Sequence, residues 1–222
     1  VVKGKIMNLK RPQKILFEIN NIEKISDLKK YLVQKNDKIE NSIIEDCYIE
    51  NIELYDFDFI TVRFKNCQIL NSQLEKITFR DVIFENCNFS NTSMQNSSFI
   101  RCEFSNCKLS GCDFTESLQN DVIYKDSNAA YSNFSLARLN NVLFEDSILR
   151  NTYWQEDILK NVYFDKADML QAQIFKTSLK NIDLSNSFID GISISIDDIK
   201  GAIINEYQAI NLISLIGVKI KS

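Results

Sequence analysis

The chain has no histidine, one proline and five glycines in 222 residues. The missing histidine removes the commonest general base and metal ligand near neutral pH. So little proline and glycine leaves no stretch suited to a flexible linker, so one body with attached ends is expected rather than two globular domains. No segment approaches the ~18 continuous apolar residues of a membrane-spanning helix. The N-terminus lacks the basic, apolar, small-residue order of a secretory signal. No G-x-S-x-G, phosphate-binding glycine loop or C-x-x-C pair occurs. Asp157 and Asp198 are not expected to act as a catalytic pair, because nothing isolates a pocket around them. These gaps argue against an enzyme, and no catalytic residue, metal site, cofactor or small-molecule substrate is expected. With 45% hydrophobic residues, the chain can still bury a sizeable core.

What is present is a period. Every fifth residue from Ile39 to Ile204 is apolar in one unbroken frame; of the 33 such positions from Ile44 onward only Gln119 is polar. A period of five fits neither the 3.6 of a helix nor the 2 of a strand. It points to a repeat protein, and so to a binding surface rather than a catalytic pocket. Two residues before each apolar centre sits a small or β-branched residue, such as Ser42, Val62, Ser72, Thr92, Ala137 or Ala172. Two residues after it, the 33 positions from Asn41 to Gly201 hold 13 Asn, six Asp and three Gly. Those residues tolerate left-handed backbone and make local turns. The chain is therefore expected to bend once per five residues.

Four bends close a square coil of 20 residues, and stacked coils pair ~4.8 Å apart. Positions 20 apart then lie above one another. One interior column is expected to run Ile44, Phe64, Phe84, Phe104, Tyr124, Phe144, Phe164, Leu184 and Ile204. A second would run Leu54, Leu74, Met94, Phe114, Phe134, Trp154, Ile174 and Ile194. Offset aromatic stacking in such columns adds ~0.5–1.5 kcal/mol per pair beyond burial. The weak centres Gln119 and Ala129 flank Tyr124, so a local irregularity is expected over 117–131.

All six cysteines, Cys47, Cys67, Cys87, Cys102, Cys107 and Cys112, fall in the small interior slot. Cys47, Cys67, Cys87 and Cys107 are expected to form one vertical ladder. Thiols stacked in one direction are badly oriented for disulfides and behave as small buried hydrophobes. Unpaired thiols fit a reducing cytoplasm.

The net charge of −4 hides a gradient. Residues 1–36 carry nine bases and three acids, a net +6. Residues 37–58 carry eight acids (Asp37, Glu40, Glu45, Asp46, Glu50, Glu53, Asp56 and Asp58) and one base, a net −7. An acidic rod can present carboxylates to a protein surface built to hold DNA. Direct nucleic-acid binding is disfavoured, because only the first 36 residues are basic. Outward slots also hold apolar residues; Ile43, Ile83, Ile123, Leu143 and Tyr163 share one phase and could line one face for a protein partner.

Open solenoid ends need caps. Residues 1–36 are expected to form a basic N-terminal cap, with a strand at Lys14–Asn20 and a helix over Ile22–Lys35. Residues 37–204 form the repeat body. In 205–222, Ala209, Leu212, Ile213, Leu215 and Ile216 read as an apolar helix ended by Gly217, and Val218–Lys221 alternates like a strand. This segment is too apolar for free exposure. It is expected to make an isologous homodimer through Tyr207, Gln208, Leu212, Leu215, Ile216, Val218 and Ile220.

Segments such as Cys87-Asn88-Phe89-Ser90-Asn91 and Ala167-Asp168-Met169-Leu170-Gln171 resemble the unit of the pentapeptide-repeat family. The resemblance covers about 170 of the 222 residues. It implies an all-β solenoid, a right-handed quadrilateral β-helix, with Phe64, Phe84, Phe104, Phe144, Phe164 and the cysteine ladder as structural core. Residues 182–217, above all Tyr207-Gln208-Ala209 followed by Leu212 and Leu215-Ile216-Gly217, resemble the C-terminus of Qnr-type fluoroquinolone-resistance proteins. That resemblance implies an end-to-end dimer, DNA mimicry, and DNA gyrase and topoisomerase IV as partners. Qnr-type loops that interrupt the frame have no counterpart here, and Qnr-type chains start almost at once with repeats.

Overall fold

The computed structural model describes residues 23–25, 28, 32 and 37–218. From Asn41 to Asn181, every fifth residue has positive φ, 28 of them non-glycine and the other Gly111. The bend once per five residues is therefore real. It is made even by Thr61, Arg101, Tyr131 and Leu136, which pay the left-handed cost because the coil dictates it. Four bends close each coil, and the result is a parallel β-solenoid of about eight turns.

We number its sides by their first centres: Ile39 on the first, Ile44 on the second, Ile49 on the third and Leu54 on the fourth. Six eight-residue strands each run across the first and second sides: Lys38–Glu45, Asp58–Lys65, Ser98–Ser105, Leu118–Lys125, Arg138–Glu145 and Ile158–Asp165. They pair in parallel with a register of 20, as in Phe104↔Tyr124 and Tyr124↔Phe144. In the turn between the second and third of them the same path is split into Thr78–Arg80 and Ile83–Glu85.

The columns stand as the period predicts. On the second side, ring centroids of Phe64–Phe84, Phe84–Phe104, Phe104–Tyr124, Tyr124–Phe144 and Phe144–Phe164 lie 5.1, 4.4, 4.9, 4.7 and 5.3 Å apart, all stacked. On the fourth, Phe114, Phe134 and Trp154 stack at 5.0 and 4.4 Å. A third column, Phe59, Phe79 and Phe99, ends where Gln119 begins.

The irregularity expected over 117–131 is absent. Leu118–Lys125 pairs fully with both neighbours, and positive φ recurs on schedule at Glu116, Asp121, Asp126 and Tyr131. Gln119 is fully buried without breaking the coil because its amide is satisfied. It donates to Ser117 Oγ (3.2 Å) and accepts from the Tyr124 hydroxyl (3.0 Å).

The small slot does more than save space. Ser127 Oγ donates to the carbonyls of Phe104 (3.2 Å) and Lys125 (2.9 Å) and accepts from the N–H of Cys107 (3.1 Å). Ser147 and Ser187 donate to Tyr124 and Phe164 in the same way. Cys67, Cys102 and Cys107 direct their thiols to the carbonyls of Ile44, Phe79 and Phe84 at 3.3, 3.3 and 3.4 Å. Each stitches one coil to the one beneath it, so all six cysteines are free and buried.

Both ends depart from expectation. Glu23–Ile25 lies inside the stretch expected to be helical, yet it forms a strand paired in parallel with Ser42–Ile44. An unpaired first coil would leave backbone groups exposed, and that need overrides the helical spacing. Leu28 and Leu32 are helical and pack on the core; the strand expected at Lys14–Asn20 lies outside the described residues. At the other end the frame does not stay in coil form to Ile204. A short helix, α1 (Ile196–Ile199), replaces one bend. Its cap explains it: Ser195 Oγ accepts from the Asp198 N–H (3.1 Å) and donates to the Asp198 carboxylate (2.7 Å), which also accepts from the Lys176 N–H (3.1 Å). Helix α2 (Glu206–Leu212) follows, then a 3₁₀ turn at Ile213–Ile216, and Gly217 at φ 74 closes it.

Candidate binding surface

Chemistry has little to work with inside the tube. Burial pushes the Cys102 and Cys112 thiols up to about 12, so neither is a thiolate nucleophile. Asp157 occupies a small slot at 7% exposure, and burial pushes its carboxyl up to about 7. Its oxygens accept from the Ala137 N–H (2.9 Å) and the Thr177 hydroxyl (3.4 Å), a stitching role like that of the serines. Asp198 is taken up by the cap of α1. No cluster of three or more metal-binding side chains exists among the described residues. No helix among them is long and apolar enough to cross a membrane.

The outer surface is where the four sides differ. The eight acids of 37–58 do not form one patch. Glu45 sits on the second side with Asp46 at its far corner, and Glu50 is on the third. Glu53 lies on the fourth, Asp56 at the next corner, and Glu40 and Asp58 on the first. The pitch of five distributes them around the tube as a girdle, so a flat partner meets only some of them. Several are also engaged. Glu40 pairs with Lys38 (3.3 Å), Glu50 accepts from Tyr48 (2.7 Å) and Asn71 (2.9 Å), and Asp46 anchors the foot of an asparagine ladder. In that ladder Asn66 donates to Asp46 (3.0 Å), Asn86 to Asn66 (3.3 Å) and Asn106 to Asn86 (2.8 Å).

Sorting charges by their phase in the 20-residue coil reveals a stripe that reading along the chain misses. The second side and its far corner carry nine acids (Glu45, Asp46, Glu85, Glu103, Asp126, Glu145, Asp146, Asp165 and Asp183) and four bases, a net −5. The first side leans the other way: its outward slots hold Lys38, Arg80, Arg138, Lys160, Lys180 and Lys200 against Glu40, Asp58 and Asp198, a net +3. At the corner between the two, Arg101 reaches down to Asp81 with two short bonds, Nε–Oδ1 2.6 Å and Nη2–Oδ2 2.7 Å. The Asp81 hydrogen bonds raise the Arg101 pKa, so this pair is fixed structure rather than free charge.

The apolar residues expected to line one face do stand in one column of the second side, in register from Ile43 to Tyr163. They are not an open docking strip, because Ile123 and Leu143 are each 1% exposed.

The C-terminal residues expected at a dimer interface divide. Gln208 is committed to its own chain, which corrects that assignment. Its amide nitrogen donates to the carbonyls of Leu184 (2.8 Å) and Ser187 (2.7 Å), and its oxygen accepts from the Asn205 N–H (2.8 Å). Leu212 and Leu215 pack against the last coils. Tyr207 faces outward at 82% exposure, with Ile210 and Val218 also exposed. The side chain of Ile216 and residue Ile220 lie outside the described residues.

Residues 97–174 match the family model of a pentapeptide repeat region. No curated protein matches the chain. Among solved structures, it is similar to full-length QnrB1, a plasmid-mediated fluoroquinolone resistance protein. The identity is 15%, over 79% of this chain and 100% of that one, with a TM-score of 0.48. It is also similar to HetL, a pentapeptide repeat protein involved in heterocyst differentiation regulation from the cyanobacterium Nostoc sp. There the identity is 10%, over 82% of this chain and 98% of that one, with a TM-score of 0.37. The unbroken series of bends and the match over 97–174 lead to one conclusion: the chain carries pentapeptide repeats wound as a four-sided parallel β-solenoid.

Proposed function

We propose that this chain is a non-enzymatic protein-binding rod. Its partner is a protein whose surface is built to hold DNA, with DNA gyrase or topoisomerase IV as the first candidate. The observation that supports this reading is the acidic stripe on the second side, continuous with Glu45 and Asp46 of the girdle. Over seven coil spacings of ~4.8 Å the net −5 amounts to one charge per ~7 Å. Duplex DNA carries one per ~1.7 Å. The rod is thus a dilute imitation whose affinity rests on shape as well as charge. The Qnr-type resemblance of residues 182–217 supplies the choice of partner and the further reading that binding confers fluoroquinolone resistance. The free thiols suit a reducing compartment, and we place the protein in the cytoplasm as a homodimer joined at the outward face of α2.

The test is gyrase supercoiling with ciprofloxacin and added protein. Rescue or inhibition supports the reading. Reversing Glu45, Asp46 and Asp126 to lysine should weaken either effect, most at low salt. No effect at micromolar protein overturns it. An adaptor with a different protein partner is the second reading, favoured by Tyr48 and Phe188, which stand 62% and 61% exposed on the third side. Capture of a non-topoisomerase partner that is lost in Tyr48→Asp plus Phe188→Asp selects it.

A further inference from the structure

On the third side the same rung ties each coil to the one above. The N–H of each centre donates to a carbonyl of the next coil: Leu109 to Asn128 (2.6 Å), Ala129 to Ile148 (2.8 Å), Leu149 to Asp168 (2.7 Å) and Met169 to Phe188 (2.8 Å). The rung from Ile189 is missing, because helix α2 stands where the next coil would run. Gln208 supplies half of that rung. Its amide nitrogen takes the Ser187 carbonyl (2.7 Å), as the N–H of Asp168 takes that of Ser147 (2.9 Å) two coils below. No carbonyl supplies the other half. Among the described residues nothing accepts from the Ile189 N–H, although Ile189 is only 2% exposed. A buried donor without an acceptor is costly.

By register that N–H points up at α2, and between the two runs a cleft of about 330 Å³ that Ile189 helps to line. Ligand sites span ~300–1,000 Å³, so this one has room for a single side chain and its peptide link. Asp190 is the only charged residue in the lining. One of its carboxylate oxygens accepts from the Asn211 amide, and no salt bridge reaches it among the described residues. Phe188 and Tyr207 bring two rings to the rim, 61% and 82% exposed. Phe188 is open because it ends its column, with no coil stacked above it. The cleft thus joins a backbone donor, a carboxylate without a cation and two aromatic rings.

We propose that this cleft takes one arginine of a protein partner together with a backbone carbonyl beside it. The carbonyl accepts from the Ile189 N–H and completes the missing rung. The guanidinium pairs with the second oxygen of Asp190 and lies against the rings of Phe188 and Tyr207. Arginine suits the site better than lysine, because its planar fork stacks on rings and is more weakly hydrated. A neutral side chain would leave Asp190 without a cation. The cleft sits on the third side, off the acidic stripe, so its occupancy is independent of what the stripe binds.

The probe is a fluorescein-labelled, end-blocked peptide Gly-Ser-Arg-Gly-Ser, titrated with the full chain and read by anisotropy. Its counterpart carries citrulline, which keeps the shape of arginine and removes the charge. The arginine peptide is expected to bind about tenfold tighter than the citrulline peptide, the effect of one charge-assisted pair. Asp190→Asn should abolish that difference while the thermal midpoint stays near that of the parent. If Asp190→Asn itself lowers the midpoint, Phe188→Ala decides in its place, with an expected loss of about threefold. The amide resonance of Ile189 should move downfield as the arginine peptide is added. Equal binding of the two peptides overturns the proposal, and so does an Ile189 amide that stays where it was, as it would if only water met it. Tyr207 also belongs to the α2 face proposed for the dimer, so the mass is followed through the titration. A peptide that binds only the two-chain form overturns the single-chain site.

Discussion

The Tyr124 hydroxyl donates to the Gln119 amide oxygen across 3.0 Å inside the tube, where one aromatic column ends at Phe99 and another continues through Phe104 to Phe144. Burial holds the Tyr124 phenol well above its ordinary pKa, so the bond has a neutral donor throughout the physiological range. Tyr124→Phe leaves a buried amide oxygen short of its partner, and Gln119→Leu leaves a buried hydroxyl without its acceptor. Each is expected to cost about 1–3 kcal/mol, and the double variant less than the sum of the two. Urea unfolding of the four proteins measures the coupling, and strict additivity contradicts the buried pair.

Asp157 makes stability fall as pH rises. Its folded-state pKa is raised from 3.8 to about 7, so the native state holds a proton that the unfolded chain releases. The contribution is most favourable below about pH 4 and is lost as pH climbs through 7. Asp157→Asn keeps an acceptor for the Ala137 N–H and removes the charge. It is expected to be about 2–4 kcal/mol more stable than the parent at pH 8 and little different at pH 4. Thermal unfolding at the two pH values decides; parallel profiles for parent and variant count against a buried, titrating carboxyl.

Asp81 is 6% exposed and relies on the two bonds from Arg101. Arg101→Ala strands that carboxylate and is expected to cost about 2 kcal/mol. Arg101→Lys keeps the charge but offers a single donor point, so it should recover less than half. Replacing Asp81 as well should return part of the loss. A guanidinium-chloride series on the three variants checks the order.

The outward face of α2 predicts association. The full chain is expected in solution at about twice 25.8 kDa, and Tyr207→Glu at the single-chain mass. Gln208→Ala should act differently, loosening α2 from Leu184 and Ser187 and lowering stability by about 1–3 kcal/mol. Light scattering separates the two outcomes, and a single-chain mass for the parent removes the dimer.

The coil was legible in the sequence because its repeat is rigid. One apolar centre and one turn former per five residues suffice to place Phe64, Phe84 and Phe104 in register. Gln119 misled because a polar centre looks like a defect until its partners, Ser117 and Tyr124, are seen to be two and five residues away inside the same tube. Helix α1 was hidden because Ile194 and Ile199 keep the five-residue frame; only Ile196 in a turn slot and Ser195 and Asp198, spaced as a cap, signalled it. The acidic stripe was missed because carboxylates were counted along the chain. Charge on a solenoid adds up by phase, and residues as far apart as Glu85, Glu145 and Asp165 fall into one column only when read modulo 20. Gln208 read as an interface residue because an exposed helix and a docked one share one apolar spacing; the carbonyls it meets lie 21 and 24 residues upstream.

Displacement of a labelled DNA duplex from gyrase is the most direct test of the binding reading. Fluorescence anisotropy should fall as the chain is added, more steeply at low salt than at high, and the Glu45→Lys, Asp46→Lys, Asp126→Lys variant should displace less. A duplex that stays bound at every concentration of the parent chain, in low and high salt alike, contradicts it.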